Sequence, residues 1–395
     1  MPNRRIYLDN AATTCVDKRV TEAMMPYFSE FYGNASSLHH FGTHAREILE
    51  RSRTTIAGCI GADSDELYFT SSGTESNNWV LQNIALANRD KGRHIIVSSI
   101  EHDCVLNTCK WLAEQGFFIT YLPVDSNGIV DLKVLRESIN PKTILVSVMH
   151  ANNEIGTIEP IEEIGRICKQ NHVYFHSDAC QSFGKIPVNV SKCNIDLLTI
   201  NSHKIYGPKG VGALYIRKGV NLTPMLYGGG QEAGLRSSTE NIPGIVGFAE
   251  AARLCMEEMN SESVRLSGLR KKLVRLIQPK NENFYINGHP DQRLPGHLSF
   301  SFHGLEGETI RLLLLLDEMG IAVSAGSACS SNDKSHNASH VLQAIGLNPF
   351  EARGAIRVSM GRFTTEKEVD IFMDALGQAM SNLTSIFSEN STIKH

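Results

Sequence analysis

The stretch TINSHKIYGPKG places a lysine beside a histidine where a predicted strand ends. Lys204 follows Asn201, Ser202 and His203, and a rigid Gly/Pro turn comes after it. Burial and cationic neighbours lower the pKa of a lysine amine, which makes it a nucleophile suited to forming a Schiff base. A lysine on a surface loop is the alternative, because isolated lysines are mostly exposed.

A carboxylate ends a second predicted strand, in FHSDACQSFGK. His176 and Asp178 close the strand, and Gln181 follows one turn later. In an α/β sheet, a carboxylate at the carboxyl end of a strand often faces the ligand crevice. Asp178 is equally suited to cap a helix, and the sequence leaves both interpretations open.

A glycine turn lies between a strand and a helix in ELYFTSSGTESNN. Ser72 and Glu75 have the S-x-x-E spacing of a capping box, which predicts that a helix begins here. Gly73 and Thr74 stand at that start, where free N–H groups and the helix dipole attract an anion such as phosphate. An ordinary capped helix without a ligand is the alternative.

Two arginines have patterns that suit anion binding. Arg236 lies in YGGGQEAGLRSSTEN beside Ser237, Ser238 and Thr239, which fits either a phosphate clamp or a flexible loop. Arg357 alternates with apolar residues in GAIRVSMG, so it projects to one face of a strand. A single arginine there suits bidentate binding of a carboxylate, and a structural salt bridge is the alternative.

Cys329 stands alone in the polar run SAGSACSSNDKSHNASH, residues 324–340. The run has no apolar periodicity, so we expect a flexible loop that leaves the thiol accessible. His336 and His340 lie nearby, and SLHH at 37–40 is a second histidine-rich spot. Structural zinc sites usually have four ligands at tighter spacing, so no metal site is predicted.

The elements that must position these residues follow an alternating pattern. Short β-branched runs predict strands, and the segments between them have helix-like spacing. The predicted strands are 94–99, 143–150, 173–179 and 196–202, and the predicted helices include 105–115 and 161–170. Such alternation indicates an α/β fold with a mostly parallel sheet that is covered on both faces.

The last third of the chain has a different grouping. A long charged amphipathic helix, 256–272, is followed by the strand LPGHLSFSF, the helix GETIRLLLLLDEMG, the strand IAVSAG and a final helix from Glu366. This grouping predicts a second, smaller α+β domain, and two domains also fit the length of 395 residues.

Composition excludes several classes of function. The net charge is -4 and no basic block stands out, so direct binding of nucleic acid is not expected. No apolar run is long enough to span a bilayer, and no apolar segment follows the two N-terminal arginines as in a signal peptide. Nine cysteines without CxxC pairs indicate free thiols in a reducing compartment, and hence a cytoplasmic protein.

Ten motifs together carry a family resemblance that none carries alone. They are, in chain order, YLDNAATT, FYGNASSLH, FTSSGTESNN, EHDCV, HANNEIG, SDACQSFGK, SHKIYGPKG, GLRSSTENIPGIVG, GSACSS and IRVSMGRFT. In content and order they resemble the class V aminotransferase superfamily, and most closely its cysteine desulfurases of the NifS/IscS type. The resemblance covers nearly the whole chain.

The resemblance implies a fold and an assembly. The family consists of homodimers with the PLP-dependent transferase fold type I, which has a large domain with a mostly parallel mixed sheet and a smaller α+β domain. Carried over to this chain, residues 16–260 would form the large domain, which binds pyridoxal 5'-phosphate (PLP). Residues 1–15 and 261–395 would form the small domain and carry the loop 324–340.

The resemblance also implies residue roles around the cofactor. Lys204 would hold PLP as a Schiff base, Asp178 would pair with the pyridine nitrogen, and Gln181 would contact the ring hydroxyl. His102, in EHDCV, would stack on the ring and help to move protons. The residues expected to hold or adjoin the phosphate are Gly73, Thr74, Asn201, Ser202, His203 and, from the other subunit, Thr239. Asn201 stands where relatives often have serine.

The substrate and the reaction follow from the same comparison. Asn153 and Asn34 would lie near cofactor and substrate, and Arg357 would bind the carboxylate of L-cysteine. Cys329 would attack the substrate sulfur, which yields L-alanine and a persulfide for an acceptor such as an Fe–S scaffold or a thio-cofactor or tRNA pathway. No resident metal is implied, although Cys329 could share an Fe–S cluster with a scaffold partner.

Two alternatives remain at this point. One is a selenocysteine lyase or another class V enzyme, which the GSACSS loop disfavours because such reactions need no carrier thiol. The other is a non-catalytic sulfur-relay scaffold, which the retention of Lys204, Asp178, His102 and Arg357 together disfavours.

Overall fold

A computed structural model describes residues 5–280, 283–325 and 338–392 of the chain. The predicted nucleophile Cys329 and the histidine His336 lie outside these described residues. The strands are β1 (Ile6–Tyr7), β2 (Leu67–Thr70), β3 (His94–Ser98), β4 (Phe118–Leu122), β5 (Thr143–Ser147), β6 (Tyr174–Asp178), β7 (Leu197–Asn201), β8 (Gly212–Ile216), β9 (Phe284–Ile286), β10 (His297–Phe302), β11 (Ile321–Ala322), β12 (Ser324–Ala325) and β13 (Ile356–Ser359).

The helices alternate with these strands through most of the chain. They are α1 (Lys18–Met24), α2 (Pro26–Ser29), α3 (His40–Ile60), α4 (Gly73–Asn88), α5 (Asp103–Glu114), α6 (Leu132–Ser138), α7 (Ile161–Gln170), α8 (Ile242–Ile277), α9 (Thr309–Glu318), α10 (His340–Ala344) and α11 (Glu366–Thr392). None of the described helices is long and apolar enough to cross a bilayer.

Within the described chain, a seven-stranded sheet has the order β2-β8-β7-β6-β5-β3-β4. The run from β7 to β4 is parallel, whereas β8 pairs antiparallel with both β7 and β2. Parallel strands need helical crossovers, which bury both faces of the sheet. The α/β fold with a mostly parallel mixed sheet is therefore confirmed.

Side chains alternate between two apolar layers along the central strands. Ile96 and Leu198 pack into one layer with α3 and the first half of α8, whereas Ile95 and Leu197 pack into the other with α4 and α5. Because successive side chains in a strand point to opposite faces, fully buried strands with continuous apolar runs are the expected result.

The small sheet, in the described residues, has the antiparallel order β12-β13-β10-β9. A separate apolar cluster joins this sheet with α9, α11 and the last turns of α8. Between Cys255 and Leu269, α8 has no buried residue, so the helix links two packed regions. A domain boundary near residue 260 stays a prediction that this packing suits.

The single strand predicted for IAVSAG is wrong. Its first half, β11, pairs in parallel with β1, and its second half, β12, pairs antiparallel with β13. The chain crosses from one partner to the other at Val323. The division of the segment into two strands depends on partners far away in sequence, which the local apolar pattern does not reveal.

Candidate active site

One edge of the large sheet collects most of the predicted site residues. Asp178 is the last residue of β6, and Asn201 is the last residue of β7, with Lys204 three residues later. Gly73 begins α4 and His102 caps α5, and these helices follow β2 and β3. The carboxyl ends of parallel strands meet at one edge of an α/β sheet, which is where ligands bind in such folds.

Lys204 lies half-buried in the turn after β7. Within the described residues, no hydrogen bond of its ammonium group is found. Burial, together with the charge of Lys204, lowers the pKa of His203 to about 4. Burial likewise lowers the pKa of His102, again with Lys204 as the next cause. The charge of Lys204 thus disfavours the protonated form of both imidazoles.

Asp178 is buried and held by two donors. The Cys180 N–H donates to its Oδ1 at 2.8 Å, and Asn77 Nδ2 donates to its Oδ2 at 2.6 Å. Asp178 caps no helix, because a turn without helical structure follows β6. Of the two interpretations of this carboxylate, the crevice-facing one remains.

His102 is the N-cap of α5, and its Nδ1 accepts from the N–H of Cys104 at 3.2 Å. The Cys104 thiol also lies 3.1 Å from the same nitrogen. A neutral imidazole whose Nδ1 accepts carries its proton on Nε2. His102 therefore presents an N–H at the ring edge away from the helix.

The start of α4 leaves two amide groups free. The N–H groups of Gly73 and Thr74 occupy the first positions of the helix, where no intrahelical acceptor exists. A Cβ at Gly73 would lie 2.5 Å from Cys180 Sγ, so only glycine lets the helix start approach the end of β6 this closely. The two free amides suit an anion, and the anion site that the sequence suggests stays a prediction.

The capping box is only half formed. Ser72 Oγ accepts from the Glu75 N–H at 3.1 Å, as predicted. The Glu75 carboxylate, however, accepts from the N–H and hydroxyl of Ser71, and Arg236 Nε donates to it at 2.8 Å. Since Arg236 is committed to this ion pair, the phosphate-clamp interpretation of that arginine is not supported.

Gln181 and Lys185 lie in the turn that follows β6, four residues apart in the chain. Gln181 Nε2 donates to the carbonyl of Ala11 at 2.9 Å, and Lys185 Nζ donates to Gln181 Oε1 at 3.3 Å. Burial lowers the pKa of Lys185 to about 7, and the charge of Lys204 adds to this effect. The sequence analysis did not single out Lys185 as a site residue, although its position four residues after Gln181 could have suggested a contact between the two side chains.

Two buried polar atoms at the end of β7 have no hydrogen-bond partner in the described residues. They are Asn201 Oδ1 and Ser202 Oγ, and both residues are almost completely buried. His203 differs, because its Nδ1 lies 3.1 Å from the hydroxyl of Thr13. Buried polar atoms are nearly always satisfied, so the two orphaned atoms favour a polar ligand at this place.

Arg357 already has partners in this structure. Its Nη2 donates to Asp9 Oδ1 at 2.8 Å, and its Nη1 donates to the carbonyl of Asn153 at 3.0 Å. The His297 ring also bonds this carbonyl, at 3.1 Å. The side-chain Nε of Arg357 is buried without a partner. The salt-bridge alternative is thus present, while one donor remains for a further anion.

Asn34 and Thr239 are exposed and not joined to the other site residues. The side-chain Oδ1 of Asn34 accepts from the Ser36 N–H at 2.9 Å, which forms a local turn. Thr239 lies on the loop that Arg236 ties to α4. Neither residue completes the site of its own protomer in the described chain.

The described residues before and after Cys329 in sequence contact different parts of the molecule. Ala325 belongs to β12 of the small sheet. Ser339 Oγ donates to Glu154 Oε2 at 2.5 Å, and His340 Nε2 lies 3.0 Å from the Glu101 carbonyl. Among the described residues, no three histidine, cysteine or carboxylate side chains are grouped so as to hold a metal ion.

Comparison with known proteins places the chain in a family. The model of the family "Aminotransferase class-V" matches residues 6–372. A "Cysteine desulfurase IscS" of Methanosarcina thermophila is 48% identical over 386 residues, which cover 97% of this chain and 94% of that protein.

Two solved structures agree with that finding. One, titled "NIFS-LIKE PROTEIN", is 42% identical with a TM-score of 0.89 and covers 95% of this chain and 99% of that chain. Another, titled "SspA in complex with cysteine", is 38% identical with a TM-score of 0.80 and covers 91% and 100%. The chain therefore belongs to the aminotransferase class-V family, and within it to the relatives of the IscS-type cysteine desulfurases.

Proposed function

We propose that this protein is a PLP-dependent cysteine desulfurase. L-cysteine and the thiol of Cys329 would give L-alanine and a Cys329 persulfide, so that one sulfur atom moves from substrate to protein. The observation that carries the proposal is the convergence of Lys204, Asp178 and His102 at one sheet edge in a chain of this family. The Methanosarcina thermophila relative is named a cysteine desulfurase, so a selenocysteine lyase or a scaffold without activity is not favoured.

The residues at this edge fit PLP. The free amides of Gly73 and Thr74 suit a phosphate. Asn201 Oδ1 and Ser202 Oγ, which have no hydrogen-bond partner, lie three and two residues before Lys204 and could also bind a polar ligand. Lys204 supplies an amine whose hydrogen-bonding capacity is unused within the described residues. PLP is the group that such a donor set, a lysine and a buried carboxylate would bind together.

The residues have separate tasks around the cofactor. When bound, PLP supplies an aldehyde and an electron-withdrawing ring. Lys204 would anchor the cofactor through its amine, and the Asp178 carboxylate would keep a proton on the pyridine nitrogen. Since Asp178 is fixed by Asn77 and the Cys180 N–H, it needs no reorganisation to do so.

Proton transfer and substrate binding would depend on two further side chains. His102 holds a proton on Nε2 and is kept neutral by burial, so it can exchange a proton with the substrate near neutral pH. Arg357 would bind the substrate carboxylate through its unpaired Nε and the adjoining Nη.

The assembly and the acceptor are further parts of the proposal. Thr239 and Asn34 are exposed on this protomer, which suits contacts with the site of a second copy in a homodimer. The Cys329 persulfide would pass to an acceptor protein such as an Fe–S scaffold. The eight described cysteines are all free, which suits a reducing, cytoplasmic compartment.

Mass spectrometry after exposure to L-cysteine tests the proposal directly. The purified protein should gain one sulfur on Cys329, while alanine accumulates. Cys329→Ala should keep bound PLP and gain no sulfur, and Cys15→Ala, which removes an exposed cysteine, should match the wild type. A Cys329→Ala variant that forms alanine at the wild-type rate would refute the carrier role.

A further inference from the structure

Cys104 lies between two groups of the proposed cofactor site. Its Sγ is 3.1 Å from His102 Nδ1 and 3.3 Å from Asn77 Nδ2. The same Asn77 nitrogen donates to Asp178 Oδ2 at 2.6 Å. Four side chains from β6 and from the starts of α4 and α5 thus form one continuous series of hydrogen bonds.

The direction of each bond in this series is fixed by chemistry. The Asp178 carboxylate can only accept, so the Asn77 amide donates one hydrogen to it and has a second for Cys104 Sγ. Burial raises the pKa of the Cys104 thiol to about 12, and the Asp178 charge adds to this effect. His102 Nδ1 also accepts from the Cys104 N–H and so has no hydrogen to give, which leaves the S–H as the donor in its contact with the thiol.

We propose that Cys104 is a positioning residue that couples the orientation of the His102 imidazole to that of the Asp178 carboxylate. Cys104 acts through its S–H group as a hydrogen-bond donor, in contrast to the thiolate chemistry proposed for Cys329. The inference rests on the proposed function, since His102 and Asp178 matter together only if the site holds PLP. It assigns a task to a thiol that the proposed reaction does not consume.

Simple packing is the competing explanation, and α5 offers a matched control. Cys109 lies five residues later on the same helix and is completely buried. Burial raises the pKa of its thiol to about 12 as well. Within the described residues it makes no hydrogen bond to His102 or Asn77, so its removal reports on packing alone.

The test compares Cys104→Ala, Cys104→Ser and Cys109→Ala as holoenzymes with ¹⁵N-labelled histidine. The His102 ring resonances, assigned with His102→Gln, report tautomer and mobility across pH, with and without cofactor. Wild type should show a single Nε2–H form, and Cys104→Ala should show a shifted or exchange-broadened one. Cys104→Ser keeps a donor and should recover the wild-type resonances, as should Cys109→Ala.

Kinetics provide the second readout. With one hydrogen bond lost, Cys104→Ala should lower kcat about five- to tenfold and shift its pH profile, with KM for cysteine changed by less than about twofold. If the alanine variant does not fold, Cys104→Val keeps the volume without the donor and takes its place.

Two results would overturn the inference. Either the His102 resonances and pH profile of Cys104→Ala coincide with those of the wild type, or Cys109→Ala changes them equally. A wild-type protein that binds no PLP and forms no alanine would instead contradict the proposed function. In that case the His102 resonances would still decide whether the thiol orients the ring.

Discussion

Asn77 Nδ2 and Asp178 Oδ2 are 2.6 Å apart, although the residues are separated by 101 positions in the chain. Asn77 lies on α4, one turn after Gly73, and Asp178 ends β6. The helix whose first amides we propose for the phosphate thus also orients the carboxylate proposed for the pyridine nitrogen. Helix α4 would therefore help to bind the phosphate and, through Asn77 and Asp178, the pyridine nitrogen of the cofactor.

Replacement of Asn77 should weaken cofactor binding. Asn77→Ala leaves Asp178 with one donor fewer, and the loss of a hydrogen bond to a charged group should lower PLP affinity by about tenfold. Equilibrium dialysis of PLP, followed by its absorption spectrum, measures this. Asn107→Ala, an exposed position on α5, is the control. An unchanged PLP affinity in Asn77→Ala would mean that Asp178 is oriented without it.

Gly73→Ala should disturb the start of α4. Its Cβ would meet Cys180 Sγ at 2.5 Å, and overpacking of this kind costs about 1–3 kcal/mol. Urea unfolding of the apoprotein and PLP affinity should both show the damage, and the double variant Gly73→Ala/Cys180→Ala should recover part of both.

Gly58 gives the opposite expectation with the same substitution. It lies inside α3, and no atom stands within 4 Å of its added Cβ. Gly58→Ala should therefore stabilise the protein by about 0.5–1 kcal/mol, since alanine is the better helix former. If both variants behave alike, the close approach at Gly73 is not the cause.

The buried carboxyl group of Glu101 should make stability depend on pH. Burial raises its pKa from 4.5 to about 8, while Ser98 and the Met149 N–H, which both donate to it, partly offset this. The folded state therefore binds a proton that the unfolded state releases. Its contribution to stability is full below about 4.5 and is lost as pH rises to about 8.

Glu101→Gln, which cannot titrate, should lack this pH dependence. Relative to the variant, wild type should lose up to about 1.4 kcal/mol of unfolding free energy per pH unit in that window. Urea unfolding at several pH values measures the difference, and Glu114→Gln, exposed at the end of α5, is the control. Parallel curves for wild type and Glu101→Gln would contradict the prediction.

A pair of variants can separate the proposed substrate-binding role of Arg357 from its structural role. Arg357→Lys loses the planar fork, so KM for cysteine should rise about 10- to 100-fold if the substrate carboxylate binds there. Asp9→Asn removes the negative charge from the ion pair and should lower thermal stability while KM changes by less than about twofold. Steady-state kinetics and thermal unfolding distinguish them. An unchanged KM in Arg357→Lys would mean that Arg357 serves only in the salt bridge with Asp9.

Local pattern was enough to predict the strand ends that carry the chemistry. The predicted helix 161–170 coincides with α7, and the final helix begins at Glu366 as expected. Asp178 ends a buried strand and Lys204 follows another, and the composition of both strands is recognisable over a few residues. Periodicity and turn residues act within about ten positions, which is why sequence alone identified them.

Contacts between distant segments required the tertiary structure. The sequence alone determined the α/β fold, the family and the residues suited to bind PLP. Only the folded chain decided that Arg236 pairs with Glu75 rather than with a phosphate, that Arg357 pairs with Asp9, and that IAVSAG divides between two sheets. A charge or a strand edge binds whichever partner the chain path brings near, and local composition does not encode that path.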